Sequence, residues 1–385
     1  MTAALTLCIP TKDRAEFLAR LLHYYARTGY RHAIAIGDSS APEQARRNQE
    51  TVASLTGRLR ITYREYPGLS SCACLEQLSA LVTTSYCSFV ADDDFVCPSG
   101  LEQCVAFLET HPAYVAAHGL GILLFVEGSH SHGPIGRVVR YRQAVLEAET
   151  ASQRLRDYLT PGPYTVLYAV HRSGDWRAMF QGVSALGGEI NQNVFKDELI
   201  PSSVSAIRGR IKELDSLYLI RHAHDAIYRQ PHPYDWITSA DWFPSYIMFR
   251  ERLVNELMHQ DGLRMQEAYA VIKEAFWPYF YRAIVIGWEK DQASPQRQPR
   301  WQARLRSVLK QLPGAQQGWR WLRIKAEGRR DAFSLDALLR PTSPHYADFF
   351  PVYQMIRSPS ARWKTDGRAR SREGDVVMAE AGAHG

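Results

Sequence analysis

Residues 86–98, YCSFVADDDFVCP, run from apolar positions into three consecutive carboxylates, Asp92, Asp93 and Asp94. Three adjacent negative charges repel one another unless something positive sits between them. A divalent, oxygen-seeking cation is the natural neutraliser. A cation held by only one or two protein carboxylates usually takes phosphate as its other ligands. The plain alternative is a solvated acidic turn. Two other strand-like runs end in polar clusters: residues 5–9 lead into Thr11, Lys12, Asp13 and Arg14, and residues 32–37 lead into Asp38, Ser39 and Ser40. Further along, Asp197 and Glu198 stand near the start of a helical stretch, and Arg221-His222-Ala223-His224-Asp225 follows the last strand-like run. His130 and His132 have a spacing that suits a metal, but they lie in a loop of glycines and serines, where chance histidines are the simpler reading.

The elements that position these residues alternate. Strands are expected at 5–9, 32–37, 59–63 and 86–92. Between them Phe17, Leu18, Leu21, Leu22 and Tyr25 fall at helical spacing, as do residues 75–82 and then Leu101, Val105 and Leu108. Pro98 suits the first turn of its helix and Gly29 the end of the first one. Residues 114–126 form a long apolar strand, bent at Gly119 and Gly121. Further strands are expected at 138–145, 164–170 and 217–220, and helices at 151–159, 173–183 and 195–211. Strands alternating with helices imply βαβ units and a mainly parallel sheet, whose ligands bind outside the carboxyl ends of the strands. The polar clusters stand at those ends.

Composition narrows the class. At 385 residues the chain accommodates a large α/β domain with an appendage, and its apolar and charged fractions are those of a globular protein. No run of 18 or more apolar residues is present, which excludes a spanning helix by sequence. The opening MTAALTLCIPTKDR lacks a signal-peptide layout. The six cysteines lack paired metal-site spacing. Reduced, buried thiols and a cytoplasmic location are expected. Neither GxGxxG after the first strand nor GxxxxGK[ST] occurs, which argues against dehydrogenase-type dinucleotide binding and a P-loop.

LTLCIPTKDRAEFLARLL, then AIAIGDSS, then YCSFVADDDF, at these offsets, resembles the nucleotide-sugar glycosyltransferases of the GT-A fold, specifically family-2-like bacterial enzymes. The likeness is good over residues 5–110, fair over 185–230 and absent beyond 235. Asp13 stands where an Asn is more usual. The resemblance implies a Rossmann-like, mainly parallel sheet flanked by helices and a donor that is a nucleotide diphosphate sugar. It also implies a Mg2+ or Mn2+ bridging the two phosphates. By resemblance, Thr11, Asp13 and Arg14 line the nucleotide pocket, Asp38 meets the base or ribose, and Asp92 faces the ribose or sugar. Asp93 shares either role, Asp94 binds the metal, and His224 closes the metal shell. Glu198, with Asp197 next, is the expected base that deprotonates the acceptor hydroxyl in an inverting transfer. Acids at a helix N-terminus are also favoured by the dipole alone.

Two rival functions share such a sheet. A sugar nucleotidylyltransferase would carry glycines and an Arg/Lys pair after strand one, where this chain has Pro10-Thr11-Lys12-Asp13. A non-catalytic sugar- or nucleotide-binding module would have lost the acids or the base. Residues 1–234 are expected to form the glycosyltransferase domain, 235–357 a helical, aromatic- and Arg-rich region, and 358–385 a disordered tail. Within 294–330, ten Lys/Arg residues stand against the single acid Glu327, with Trp301, Trp319 and Trp321 interleaved. That mixture fits a helix lying on anionic lipid, and equally a solvated basic helix pair whose tryptophans pack on the body. No nucleic acid is expected. The acceptor implied is a glycan or lipid-linked glycan of surface polysaccharide synthesis.

Overall fold

Through the first hundred residues an apolar run followed by a stripe at helical spacing repeats, and each repeat folds as a strand and a helix. The computed structural model describes residues 4–128, 130–161, 164–185, 194–224, 231–292 and 334–357. The basic segment 294–330 and the tail 358–385 lie outside the described residues. The first half runs β1 (Leu5–Thr11), α1 (Ala15–Arg27), β2 (Ala33–Asp38), α2 (Pro42–Ser54), β3 (Arg60–Glu65), α3 (Ser71–Leu81) and β4 (Tyr86–Phe89). All seven residues of β1 are buried, as its unbroken apolar run requires of a central strand. Gly29, at φ 68°, turns the chain out of α1 in the left-handed region. Ser70 caps α3 by accepting from the Ala73 N–H. A Cβ on Gly37 would fall 2.2 Å from Cys74 Sγ, so only glycine lets α3 lie this close to β2.

The chain continues through β5 (Phe95–Val96), α4 (Pro98–Thr110), β6 (Tyr114–Val126), β7 (Ile135–Tyr141), α5 (Ala151–Leu159), β8 (Val170–Arg172) and α6 (Ser173–Phe180). After a π-helical turn at Phe195–Leu199 come α7 (Ile200–Arg208) and β9 (Arg210–Ala223). The sheet order is β3-β2-β1-β4-β8-β6-β9-β5, with β7 on β6. Strands β3, β2, β1 and β4 are parallel, and β9 is parallel to β6. The short β8 is antiparallel to both β4 and β6. Two reversals restore the direction, so β6 and β9 run as β4 does. The carboxyl ends of β1, β2, β4 and β9 therefore share one edge of the sheet.

Three expected elements differ. Residues 195–211 do not form one helix: the π-helical turn precedes α7, and the chain is already in β9 at Arg210. That strand is far longer than 217–220, because it pairs along β6 with register shifts that the charged residues 212–215 disguise in the sequence. Of 164–170, only Val170 lies in a strand, because only β8 finds partners on both sides. All six cysteines are buried and free.

Beyond residue 232 lie α8 (Pro233–Ile237), α9 (Trp242–Asp261), α10 (Met265–Gln292), α11 (Leu335–Leu338) and α12 (Tyr346–Arg357). The aromatic rings form a cluster around Phe195, which contacts Trp236, Trp242, Phe249 and Phe276. This C-terminal helical part thereby props the turn that carries Asp197 and Glu198. The chain then returns to the sheet: Ser99 Oγ donates to Asp348 at 2.5 Å, and the Gly133 N–H donates to the Ile356 carbonyl at 2.9 Å. No helix among the described residues is long and apolar enough to cross a membrane.

Candidate active site

At the shared edge of the sheet opens a cleft of about 450 Å³. Its walls include Thr11, Asp13, Arg14, Asp92, Asp93, Tyr168, Arg221, Asp197 and Glu198. Thr11 Oγ1 donates to Asp92 Oδ2 at 2.7 Å. Arg14 Nη1 donates to Asp93 Oδ2 at 2.8 Å and to Asp92 Oδ1 at 3.3 Å. Asp13 adopts φ 55°, a left-handed conformation that Asp tolerates better than most side chains. Its N–H donates to Ser40 Oγ and its carboxylate accepts from the Ala41 N–H, both at 2.8 Å, so the β1 and β2 ends are tied together.

Beneath the acids lies a buried basic layer. Arg20 is fully buried and donates to the Asp93 carbonyl at 2.5 Å, to the Ser131 carbonyl and to His222 Nδ1 at 2.8 Å. Burial, reinforced by the Arg20 charge, pushes His222 down to about 2, so its ring is neutral and accepts from Arg20. His224 stacks on Phe17, and its Nε2 lies 3.0 Å from Asp93 Oδ2. Burial and then the Asp93 charge push Asp92 up to about 7. Burial would raise Asp93 too, but the His224 hydrogen bond and the Arg14 and Arg221 charges outweigh it and hold that carboxyl below its usual range. Of the neighbours Asp92 and Asp93, Asp93 is the one whose surroundings favour the charged form.

Two expected site residues face elsewhere. Asp38 does not line the cleft: Oδ2 accepts from Asn48 at 2.7 Å and from Tyr63 OH at 2.5 Å, and Oδ1 from the Ser40 N–H at 2.8 Å. Its carboxylate is used up in fixing the β2–α2 turn. Asp94, expected on the metal, is fully buried. Its Oδ2 accepts from Tyr168 OH at 2.5 Å and Arg221 Nε at 2.9 Å, and Oδ1 accepts from the His222 N–H at 2.9 Å. With donors on both oxygens and no face on the cleft, it does not fit a cation. His132 pairs with Glu16 at 3.4 Å and not with the acids.

Asp93, unlike Asp94, lines the cleft, and a cation there would replace the 3.0 Å hydrogen bond between its Oδ2 and His224 Nε2. The second ring nitrogen of His224 has no hydrogen-bond partner among the described residues. No group of three or more His, Cys, Asp or Glu among the described residues is arranged to hold an ion.

Across the cleft, the π-helical turn presents Asp197 and Glu198 side by side, and such turns often mark functional sites. Glu198 also lines a second opening, with Tyr141, Thr165, Arg140, Arg142 and Tyr164. It therefore stands where the two spaces meet. Burial pushes Asp197 up to about 6, and one of its oxygens is enclosed without a partner. A carboxyl whose folded pKa is raised favours folding at low pH, and that contribution is lost as pH rises through about 6. Asp197→Asn should therefore melt at a higher temperature than the parent at pH 8 and at the same temperature near pH 3, measured by thermal unfolding across pH. Equal melting at both values would contradict this environment.

Tyr168, Tyr141, Arg221 and Arg20 were not among the residues expected at the site. Tyr141 reaches the cleft because β7 approaches β6 closely at Gly121, where a Cβ would fall 2.6 Å from the Tyr141 carbonyl oxygen.

The chain was compared with known proteins. Residues 1–349 of S. aureus TarS, in complex with UDP-GlcNAc, superpose with a TM-score of 0.50 over 92% of this chain and 90% of that one, at 15% identity. The fold is that of a GT-A-type glycosyltransferase. The mannosyltransferase PcManGT of Pyrobaculum calidifontis, in complex with GDP-Man and Mn2+, aligns over 85% of each chain at 12% identity and a TM-score of 0.40. No protein-family model and no curated protein sequence matches the chain.

Proposed function

We propose that the protein is a metal-dependent, inverting glycosyltransferase. It moves a sugar from a nucleotide diphosphate sugar to a hydroxyl of a glycan or lipid-linked glycan, in surface polysaccharide synthesis. The observation that carries this reading is the cleft itself. It has Asp93, hydrogen-bonded to His224, on one wall and Glu198 and Asp197 on another. The TarS structure of the same fold holds a UDP-sugar, which supports a donor of that class.

In this reading Thr11 orients Asp92 toward the ribose or sugar, and Asp13 shapes the nucleotide end of the cleft through the β1–β2 tie. Asp38 acts through the turn it braces, not by touching the base. Asp93 and His224 would hold a Mg2+ or Mn2+, which would supply Lewis-acid charge at the diphosphate. Arg14, already bonded to both acids, adds positive charge at the same place. Glu198 takes the proton of the acceptor hydroxyl. The acceptor oxygen then bonds to the anomeric carbon as the bond from that carbon to the diphosphate oxygen breaks, its electron pair leaving with the diphosphate. Attack from the side opposite the leaving group inverts the anomeric configuration. Calorimetric titration of UDP- and GDP-linked sugars with Mn2+ tests the donor assignment. Saturable binding that chelation abolishes is expected, and no binding by any member would contradict it.

Peripheral membrane contact through 294–330 belongs to the same reading. Trp277, Tyr281 and Trp288 are exposed on α10, which precedes that segment in the chain. Aromatic residues beside basic ones favour an anionic lipid surface. The parent should float with anionic liposomes, and a variant with Arg320, Arg323 and Lys325 made neutral should float less. Equal flotation would remove the membrane from the account.

A further inference from the structure

We propose that Arg221 is a fixed, protein-borne cation for the diphosphate, additional to the metal, and that Asp94 is the residue that positions it. This rests on the sugar-nucleotide reading of the cleft and assigns Asp94 a role different from metal binding. The guanidinium is clamped. Nε donates to Asp94 Oδ2 at 2.9 Å and Nη1 donates to Tyr141 OH at 3.1 Å. Its Cζ lies over two rings, 4.9 Å from the Tyr141 centroid and 5.2 Å from that of Tyr168. Tyr168 OH and the His222 N–H in turn hold Asp94.

Asp94 is enclosed at 1% side-chain exposure, whereas the Arg221 side chain is 21% exposed and lines the cleft. Nη2 is the part of the fork with no hydrogen bond to any described residue. A planar fork held by a carboxylate and by two neighbouring rings is a pre-organised anion receptor, which the flexible ammonium of lysine does not reproduce. The charge left on the diphosphate oxygen as the glycosidic bond breaks develops in this cleft. A donor already fixed in place stabilises that charge without reorganisation. A purely structural Asp94–Arg221 pair would need neither the cleft exposure nor the open edge of the fork.

The test compares nucleoside diphosphates with monophosphates on the full-length protein. UDP, UMP, GDP and GMP are titrated calorimetrically, with and without Mn2+, into the parent, Arg221→Met, Arg221→Lys, Asp94→Asn and Tyr141→Phe. The parent should bind the diphosphate of the preferred base at least about 10-fold tighter than the monophosphate. Arg221→Met should weaken the diphosphate by about 10- to 100-fold, the range of a charged hydrogen bond, and leave the monophosphate unchanged. Arg221→Lys and Asp94→Asn should fall between, and Asp94→Asn should keep the Mn2+ affinity of the parent.

An unchanged ratio in Arg221→Met, or equal loss for both nucleotides, would overturn the proposal while leaving the donor site standing. Loss of Mn2+ binding in Asp94→Asn with the ratio intact would also overturn it and return Asp94 to the metal. A parent that binds none of the four nucleotides would overturn the donor reading and this proposal with it. If Arg221→Met fails to fold, Arg221→Lys and Tyr141→Phe carry the same comparison.

Discussion

Asp93→Asn is expected to lower turnover of the nucleotide sugar by about a thousandfold, with Mn2+ affinity falling in parallel. The substitution keeps shape and removes one charge. That charge is the one the cleft preserves, because the His224 hydrogen bond and the Arg14 and Arg221 guanidiniums hold Asp93 ionised against its burial. A metal's Lewis-acid contribution is worth several kcal/mol, and each tenfold in rate corresponds to about 1.4 kcal/mol. The contacts that hold Asp93 ionised also favour the fold at neutral pH, and that contribution is lost as pH falls through the lowered folded value. Asp93→Asn should therefore melt below the parent near neutral pH, and an unchanged near-UV circular dichroism spectrum at the assay temperature separates the loss of activity from misfolding. Activity within tenfold of the parent at saturating Mn2+ would show that Asp93 is not the metal-bearing acid.

Glu198→Gln is expected to lower kcat by about 100- to 10,000-fold, the range of general-base catalysis, with little change in the donor KM. The split follows from geometry. Glu198 lines both the donor cleft and the outer opening past Tyr141 and Thr165, so it meets an acceptor entering from outside without bearing on the diphosphate. Asp197→Asn should cost much less, because one oxygen of Asp197 is enclosed. Steady-state kinetics on both variants decides between the adjacent acids. A larger kcat loss in Asp197→Asn than in Glu198→Gln would move the base by one residue. A rise in donor KM alone would take Glu198 out of proton transfer.

The parallel half of the sheet was legible because its strands are unbroken apolar runs and its helices show clear stripes. Residues 5–9 fall within β1 and 33–37 within β2, while the run expected at 86–92 is a strand only to Phe89. The edge at which their polar ends meet followed from that alternation. The antiparallel pieces were not legible. β5 and β8 are two and three residues long, and they exist only because β9 and β4 pair with them. The π-helical turn was hidden as well, since Phe195–Leu199 has the composition of an ordinary helix start.

Within the site, the acidic triplet and the 221–224 cluster could be found from their positions after strands, but not the direction of each carboxylate. Asp92–Asp94 sit in a turn, where no period of two or 3.6 fixes which side chain faces the cleft. Asp94 faces inward because Tyr168, 74 residues away, and Arg221, 127 residues away, supply its donors. Asp38 is claimed in the same way by Asn48 and Tyr63 across the β2–α2–β3 unit. Partners so distant in the chain are set by tertiary packing and leave no local mark.

The most direct test of the central claim is the release of free nucleoside diphosphate from a panel of nucleotide sugars incubated with the protein, Mn2+ and glycan acceptors. At least one donor should yield its nucleoside diphosphate, with neither pyrophosphate nor sugar phosphate among the products. Release should stop with EDTA and fall about a thousandfold in Asp93→Asn. Pyrophosphate exchange in place of diphosphate release would instead indicate a nucleotidylyltransferase. Diphosphate release that survives both EDTA and Asp93→Asn would contradict a metal-bearing acid at the end of β4.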